Sequence, residues 1–146
     1  MQKGKKDFNV IGMKNSGVFA NFGSEVPKFA RQLLSRVNEI QNRSKTEIAL
    51  YDPKRVEIHL EGHYYVGLIV NDTLNEAPSG MEYIEATQDY VTTKGKISDL
   101  GDLHLQLLKL ADEQGYQRNL EAYIVETYHP IENGEEEVEI YLPIHS

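Results

Sequence analysis

The sequence predicts an α+β fold: a duplicated strand-helix-strand-strand unit whose halves join into one curved antiparallel sheet, with two helices on one face and a central pocket. Three observations carry this prediction. Two segments show apolar residues at helical spacing, strand-like runs flank each of them, and a single shift along the chain superposes one helix on the other.

In chain order, residues 8–13 form a short apolar strand, Lys14-Asn15-Ser16-Gly17 a loop, and residues 18–22 more strand-like sequence. Ser24 then reads as a helix N-cap. Glu25 sits in the first turn, where the helix dipole favours a negative charge, and Pro27 is early enough to be tolerated. Val26, Phe29, Ala30, Leu33, Leu34, Val37 and Ile40 follow as one apolar stripe. Strand-like runs at 47–51 and 56–70 are separated by Asp52-Pro53, which is turn chemistry, and the polar segment 71–80 connects the halves.

The second half repeats the order. Residues 81–86 and 90–93 are strand-like, and Ser98 caps a helix with Asp99 in its first turn. Leu100, Leu103, Leu107, Leu108 and Ala111 share one side of that helix, and Gly115 ends it as a left-handed cap. Strands at 120–128 and 138–144 close the chain, joined through Pro130 and Asn133-Gly134. A shift of 74 lays Ser24 on Ser98, Glu25 on Asp99, Val26 on Leu100, Phe29 on Leu103 and Leu33 on Leu107. The expectation is one domain over 1–146, with pseudo-repeats at about 8–72 and 81–146 and a pocket between the helices. Strand residues floor that pocket, with Tyr65 and Tyr141 near its middle.

Composition narrows the function. A chain of 146 residues buries a core without staples, and the absence of cysteine excludes disulfide and thiolate chemistry. A net charge of −8 opposes a phosphate-binding surface, so no direct nucleic-acid partner is expected. The basic start Met1-Gln2-Lys3-Gly4-Lys5-Lys6 leads into no apolar segment and no run approaches spanning length, so the expectation is a cytoplasmic protein without a membrane partner.

One stretch concentrates chemistry. Asn119-Leu120-Glu121-Ala122-Tyr123-Ile124-Val125 puts a carboxylate in an apolar, strand-like run, and strand period two gives Glu121, Tyr123 and Val125 a common face. An unpaired buried carboxylate is costly, so Glu121 requires a partner, a solvated cavity or a raised pKa; an edge strand with Glu121 in water is the other reading. Glu57, His59, Glu61 and His63 also share a strand face, but strand side chains diverge more than a ligand set allows, so neither metal nor cofactor is expected. No Gly-rich phosphate loop, His-Glu-x-x-His helix or Gly-x-Ser-x-Gly elbow is present. His104 reads as a helix-surface residue, and His129 and His145 have no partner recognisable in sequence.

Several segments, in order and spacing, resemble the GyrI-like effector-binding domains found in multidrug-sensing transcription regulators and in stand-alone proteins. They are Ile11-Gly12-Met13, Val26-Pro27-Lys28-Phe29, Tyr90-Val91-Thr92-Thr93-Lys94-Gly95, Leu120-Glu121-Ala122-Tyr123 and Glu139-Ile140-Tyr141-Leu142-Pro143-Ile144, and the match they mark out spans most of the chain. The resemblance implies a central acidic-aromatic pocket for bulky aromatic, cationic or hydrophobic small molecules, with Glu121 meeting the ligand's charge and Glu139 and Tyr141 lining the pocket. Tyr65, Tyr83, Tyr90 and Tyr123 are further aromatic candidates, and Leu103 and Leu107 belong to the helix wall. Drug sensing, sequestration or resistance are the roles it implies. The chain departs from the family in having no tryptophan and no room for a helix-turn-helix domain.

Two alternatives stay open. Some family members resemble hydrolases that open the cyclopropane of DNA-alkylating natural products; there Glu121 is the general base on water, and Tyr123 or Tyr141 hydrogen-bonds the oxygen that gains charge. Other relatives act on DNA gyrase through protein contact, and the acidic loop 132–137 offers a surface for a protein partner. A monomer and a homodimer fit the sequence equally.

Overall fold

The computed structural model describes residues 2–40, 43–53, 60–71, 77–130 and 136–145. Its strands are β1 (Gln2–Val18), β2 (Arg43–Tyr51), β3 (Glu61–Val70), β4 (Glu82–Lys96), β5 (Ile124–His129) and β6 (Glu137–Ile144). All neighbours pair antiparallel in the order β1-β3-β2-β5-β6-β4, and β4 pairs back onto β1, so the curved sheet closes into a barrel. Helices α1 (Phe22–Leu34) and α2 (Leu100–Glu113) complete the α+β fold.

Strand alternation sorts the apolar residues to two faces. Phe8 and Val10 of β1, Ile48 and Leu50 of β2, Tyr65 of β3, Tyr90 of β4, Val125 of β5 and Tyr141 of β6 form one buried cluster. All six strands contribute to it, so it fills the barrel. The opposite face carries two further clusters, one per helix: Leu33 and Ile40 pack on Ile11, Tyr64, Val66 and Leu68, and Leu107 and Ala111 pack on Val91, Ile140 and Leu142. Both helices therefore lie outside the barrel on one face of the sheet. Burial of a leucine such as Leu33 or Leu107 stabilises by about 1.5–3 kcal/mol, which is what anchors each helix to its half.

The duplication is visible, but its helices align at an offset of 78 rather than 74. Short 3-10 turns open at Phe19 and Ile97 and the helices at Phe22 and Leu100, an offset of 78 (from 19 to 97 and from 22 to 100). Close packing repeats at the same offset: a Cβ on Gly17 would strike Glu25, and one on Gly95 would strike Leu103. The sequence comparison is one helical turn out because an i, i+4 stripe superposes on itself after four residues. Only the strand and turn ends fix the register.

Element boundaries differ where tertiary pairing overrides local propensity. β1 runs unbroken through Lys14-Asn15-Ser16-Gly17, whose backbone pairs with residues 62–65, and ends at Val18; of the expected strand at 18–22, residues 19–22 instead turn into α1. β4 likewise continues through Thr87 to Asp89, paired with Lys5 to Asp7. Ser24 and Ser98 are not the N-caps: α1 and α2 begin after Asn21 and Asp99, and the Ser24 hydroxyl donates back to the Asn21 carbonyl at 3.0 Å. Gly115 closes α2 as expected, with φ of 78° and the Tyr116 N–H donating to the Ala111 carbonyl at 2.9 Å. Glu57, His59, residues 72–76 of the connector and residues 131–135, with Asn133-Gly134 and most of the acidic loop, lie outside the described residues. Among the described residues no helix is long and apolar enough to cross a membrane.

Candidate functional site

A cavity of about 720 Å³ lies between the two helices, on the outer face of β2 and β5. Phe19, Phe22, Val26, Ala30 and Arg31 wall it from the first half, and Leu100, Gly101 and His104 from the second. Ala49 and Tyr51 of β2 and Ile124, Glu126 and Tyr128 of β5 form its floor. The pseudo-twofold passes between those two strands, where Ala49 pairs with Glu126 and Leu50 with Val125. A pocket between the helices is what the duplication predicts. Its floor differs from the expected one: β2 and β5 are central, whereas Tyr65 and Tyr141 belong to the flanking strands β3 and β6 and point into the barrel.

Glu126 is the chemical centre of the floor. Its neighbours Val125 and Thr127 point into the barrel, so strand alternation sends its carboxylate outward beneath α2, where the residue is only 6% exposed. Three donors meet it. Tyr128 OH donates to Oε1 at 2.6 Å, Tyr51 OH donates to Oε2 at 2.7 Å, and His104 Nε2 lies 2.6 Å from the same Oε2. Tyr51 OH is also 2.9 Å from His104 Nε2. Since the single Tyr51 proton goes to the carboxylate, donor counting assigns the hydrogen on Nε2 to His104, which donates to Glu126.

This shell decides the charge state. Burial alone pushes the Glu126 carboxyl up, but the His104 hydrogen bond and charge, reinforced by Tyr128 and Tyr51, outweigh it and hold the group below its ordinary value. The same packing pushes the Tyr51 and Tyr128 hydroxyls well up, first through burial and then through the adjacent Glu126 charge. The floor is thus one carboxylate held ionised by two neutral phenols and an imidazole.

The walls are aromatic on one side and acidic at the rim. Phe22 stacks edge-on with Tyr51 and Tyr64 at centroid distances of 6.3 and 5.0 Å, and Phe19 lies 5.1 Å from Phe22. Among the described residues Glu47, Asp52 and Glu136 line the cavity against a single guanidinium, that of Arg31. Burial and the nearby Glu136 raise the Glu47 carboxyl, as expected where negative charges crowd.

The residues singled out in sequence lie elsewhere. Glu121 is exposed, in a turn ahead of β5 where its N–H donates to Asn119 Oδ1 at 3.1 Å; the asparagine side chain turns the backbone before the strand begins. Tyr65, Tyr90 and Tyr141 come together inside the barrel, Tyr90 and Tyr141 both packing edge-on to Phe8 at 5.8 and 4.9 Å, and Tyr123 meets Tyr65 at 5.8 Å. Tyr141 OH donates to Glu139 at 2.5 Å. Burial, then Glu82, pushes the Tyr65 hydroxyl up to about 12, and burial, then Asp7, does the same to Tyr90. Tyr83 bonds Asn9 and Glu85, and Leu103 and Leu107 pack beneath α2. None of these side chains lines the cavity between the helices.

Glu126 was passed over in the sequence, and His104, read there as a helix-surface residue, instead faces the cavity and meets Glu126. Both left a signal. Glu126 interrupts Ile124-Val125-Glu126-Thr127-Tyr128 with a charge, and His104 falls at i+4 from Leu100 and i−3 from Leu107, on the stripe that packs inward. His129, also read as unpartnered, lies 2.8 Å from Thr127 Oγ1 on the barrel side.

No protein-family model and no curated protein matches this sequence. Solved structures do match its fold. The structure of SAV2435 bound to tetraphenylphosphonium is similar to this chain with a TM-score of 0.72 at 11% identity, covering 100% of this chain and 95% of that one. The EcmrR C-terminal domain is similar with a TM-score of 0.60 at 18% identity, covering 99% and 98%. A hydrolase encoded by lin2189 from Listeria innocua is similar with a TM-score of 0.55 at 10% identity, covering 99% and 92%. The six-stranded curved sheet with two helices is thus the fold of these proteins, and it fits the GyrI-like architecture.

Proposed function

We propose that this protein binds bulky, lipophilic cations in the cavity between its helices, with Glu126 as the counter-charge. One observation carries the reading: an ionised carboxylate sits on the floor of an otherwise largely apolar and aromatic cavity of about 720 Å³, within the size range of small-molecule sites. In such surroundings an ion is attracted far more strongly than at a surface, and the faces of Phe19, Phe22 and Tyr51 add quadrupole attraction for a cation.

The shell also defines the kind of cation. Tyr51 and Tyr128 on the floor strands already supply a donor to each oxygen of Glu126, so the guest has no need to bring N–H groups. Quaternary ammonium and phosphonium ions, which present charge without donors, fit this arrangement. The likeness to SAV2435 bound to tetraphenylphosphonium supports the same class of ligand. Hydrolysis is the weaker reading, because donors that hold Glu126 ionised also reduce its basicity toward water.

The test is calorimetric titration with tetraphenylphosphonium and with tetraphenylborate, which has the same shape and opposite charge. The reading requires binding of the cation, exclusion of the anion, and a loss of about thirtyfold or more in Glu126→Gln, the scale of a hydrogen bond or contact to a charged group. Equal affinity for the two ions, or unchanged affinity in Glu126→Gln, would overturn it.

A further inference from the structure

His104 occupies a position that a guest cation needs. Its Nε2 lies 2.6 Å from Glu126 Oε2, on the cavity side of α2, and its side chain is 24% exposed against 8% for Glu126. The two tyrosine donors sit on the floor strands, whereas His104 reaches the carboxylate from the wall. Histidine is the side chain whose charge changes between about pH 5 and 8. We infer that His104 is the cavity's resident cation, displaced from Glu126 by the incoming ligand, so that uptake of a cation releases a proton from His104 to solvent.

The inference rests on the cavity being a cation site and goes beyond it by coupling occupancy to pH. The balance is simple: a protonated imidazole paired with Glu126, plus a guest cation, becomes a neutral imidazole, a guest paired with Glu126, and a solvated proton. Two positive charges against one carboxylate in a confined space repel, so the bound guest lowers the proton affinity of the ring and protons weaken the binding of the guest.

Other titratable groups share the cavity wall. Tyr128 on β5 and Tyr51 on β2 stay neutral through this range because burial and Glu126 push them up. Arg31 of α1, with Asp52, Glu136 and Glu47, completes the rim. Glu47, raised by burial and by Glu136, gains charge with rising pH and acts in the same direction as His104, so the histidine must be isolated by mutation.

The experiment is titration of the full chain with tetraphenylphosphonium, a cation that carries no proton, at pH 5.5 and pH 8, in wild type and in His104→Gln. The glutamine keeps an N–H donor for Glu126 and removes the titration. Wild-type affinity is expected to rise about tenfold between the two values, corresponding to one pKa unit of displacement. The His104→Gln protein is expected to change less than about threefold, on the same conversion. In parallel, the His104 ring signal in an NMR pH titration moves to lower pH when the cation is bound. A flat wild-type profile, a slope that survives in His104→Gln, or an unmoved ring titration would overturn the inference and leave the cation site standing. Failure of tetraphenylphosphonium to bind at either pH would remove both.

Discussion

The two halves of the molecule build the same scaffold and decorate it differently. Val26 on α1 and His104 on α2 are equivalent positions, 78 apart (from 26 to 104), and both face the cavity. Leu50 pairs with Tyr65, and Val125 pairs with Tyr141, which makes the next residues, Tyr51 and Glu126, equivalent on the floor. The first half therefore offers valine and a phenol where the second offers an imidazole and a carboxylate. A symmetric fold supplies the space, and breaking that symmetry supplies the charge.

The largest effect follows from removing the whole carboxylate. Glu126→Ala leaves the Tyr51, Tyr128 and His104 donors facing an apolar gap, and loss of one partner of a buried charged network costs about 3–5 kcal/mol. Chemical denaturation measures it, with Glu126→Gln expected to cost less because its carbonyl oxygen still accepts. An intermediate effect comes from making the two halves alike: His104→Val removes one charge-assisted bond, worth about 1.5–3 kcal/mol. Tyr51→Phe is smaller, about 1 kcal/mol. Because Tyr51 and His104 share Glu126 Oε2, a double-mutant cycle between them should show a coupling of about 0.5 kcal/mol or more, and simple additivity would argue against a shared oxygen.

The pH dependence of stability follows the same chemistry. Glu126 titrates lower in the folded protein than its ordinary value of 4.5, so the unfolded chain takes up the proton first. Its contribution is present above pH 4.5 and is lost as pH falls through the folded value. Acid denaturation of His104→Val should begin at higher pH than that of wild type, since the leading cause of the depression is gone. At the alkaline end Tyr51 and Tyr128, raised well above 10.0, contribute stability below pH 10 that is lost as pH rises toward their folded values. The smallest effect is that of Glu121→Gln, an exposed substitution expected to stay within about 0.5 kcal/mol and to leave cation binding unchanged.

How much of this was legible in sequence depended on whether periodicity or pairing carried the information. The stripes from Val26 to Ile40 and from Leu100 to Ala111 are local signals, and both helices, their common face and the pocket between them follow from those stripes. The unbroken course of β1 through Asn15-Ser16-Gly17 was not legible, because long-range pairing with β3 overrides turn chemistry. The misplaced carboxylate has a specific cause. Reading a strand from residue 120 puts Glu121, Tyr123 and Val125 on one face, but the Asn119 side chain delays the strand to Ile124, and the charged residue inside it becomes Glu126. Tyr65, Tyr90, Tyr123 and Tyr141 do converge, yet in the barrel interior, since period two gives a common face without saying which face carries the cavity.

The central claim is that the outer cavity, and not the barrel interior, receives the ligand. A crystal structure of the protein with tetraphenylphosphonium tests it most directly. The account predicts the phosphonium between α1 and α2 over the Glu126 carboxylate, with His104 turned away from Oε2. A phosphonium seated beside Glu139 and Tyr141 within the barrel, or an outer cavity left empty at saturating ligand, would contradict it.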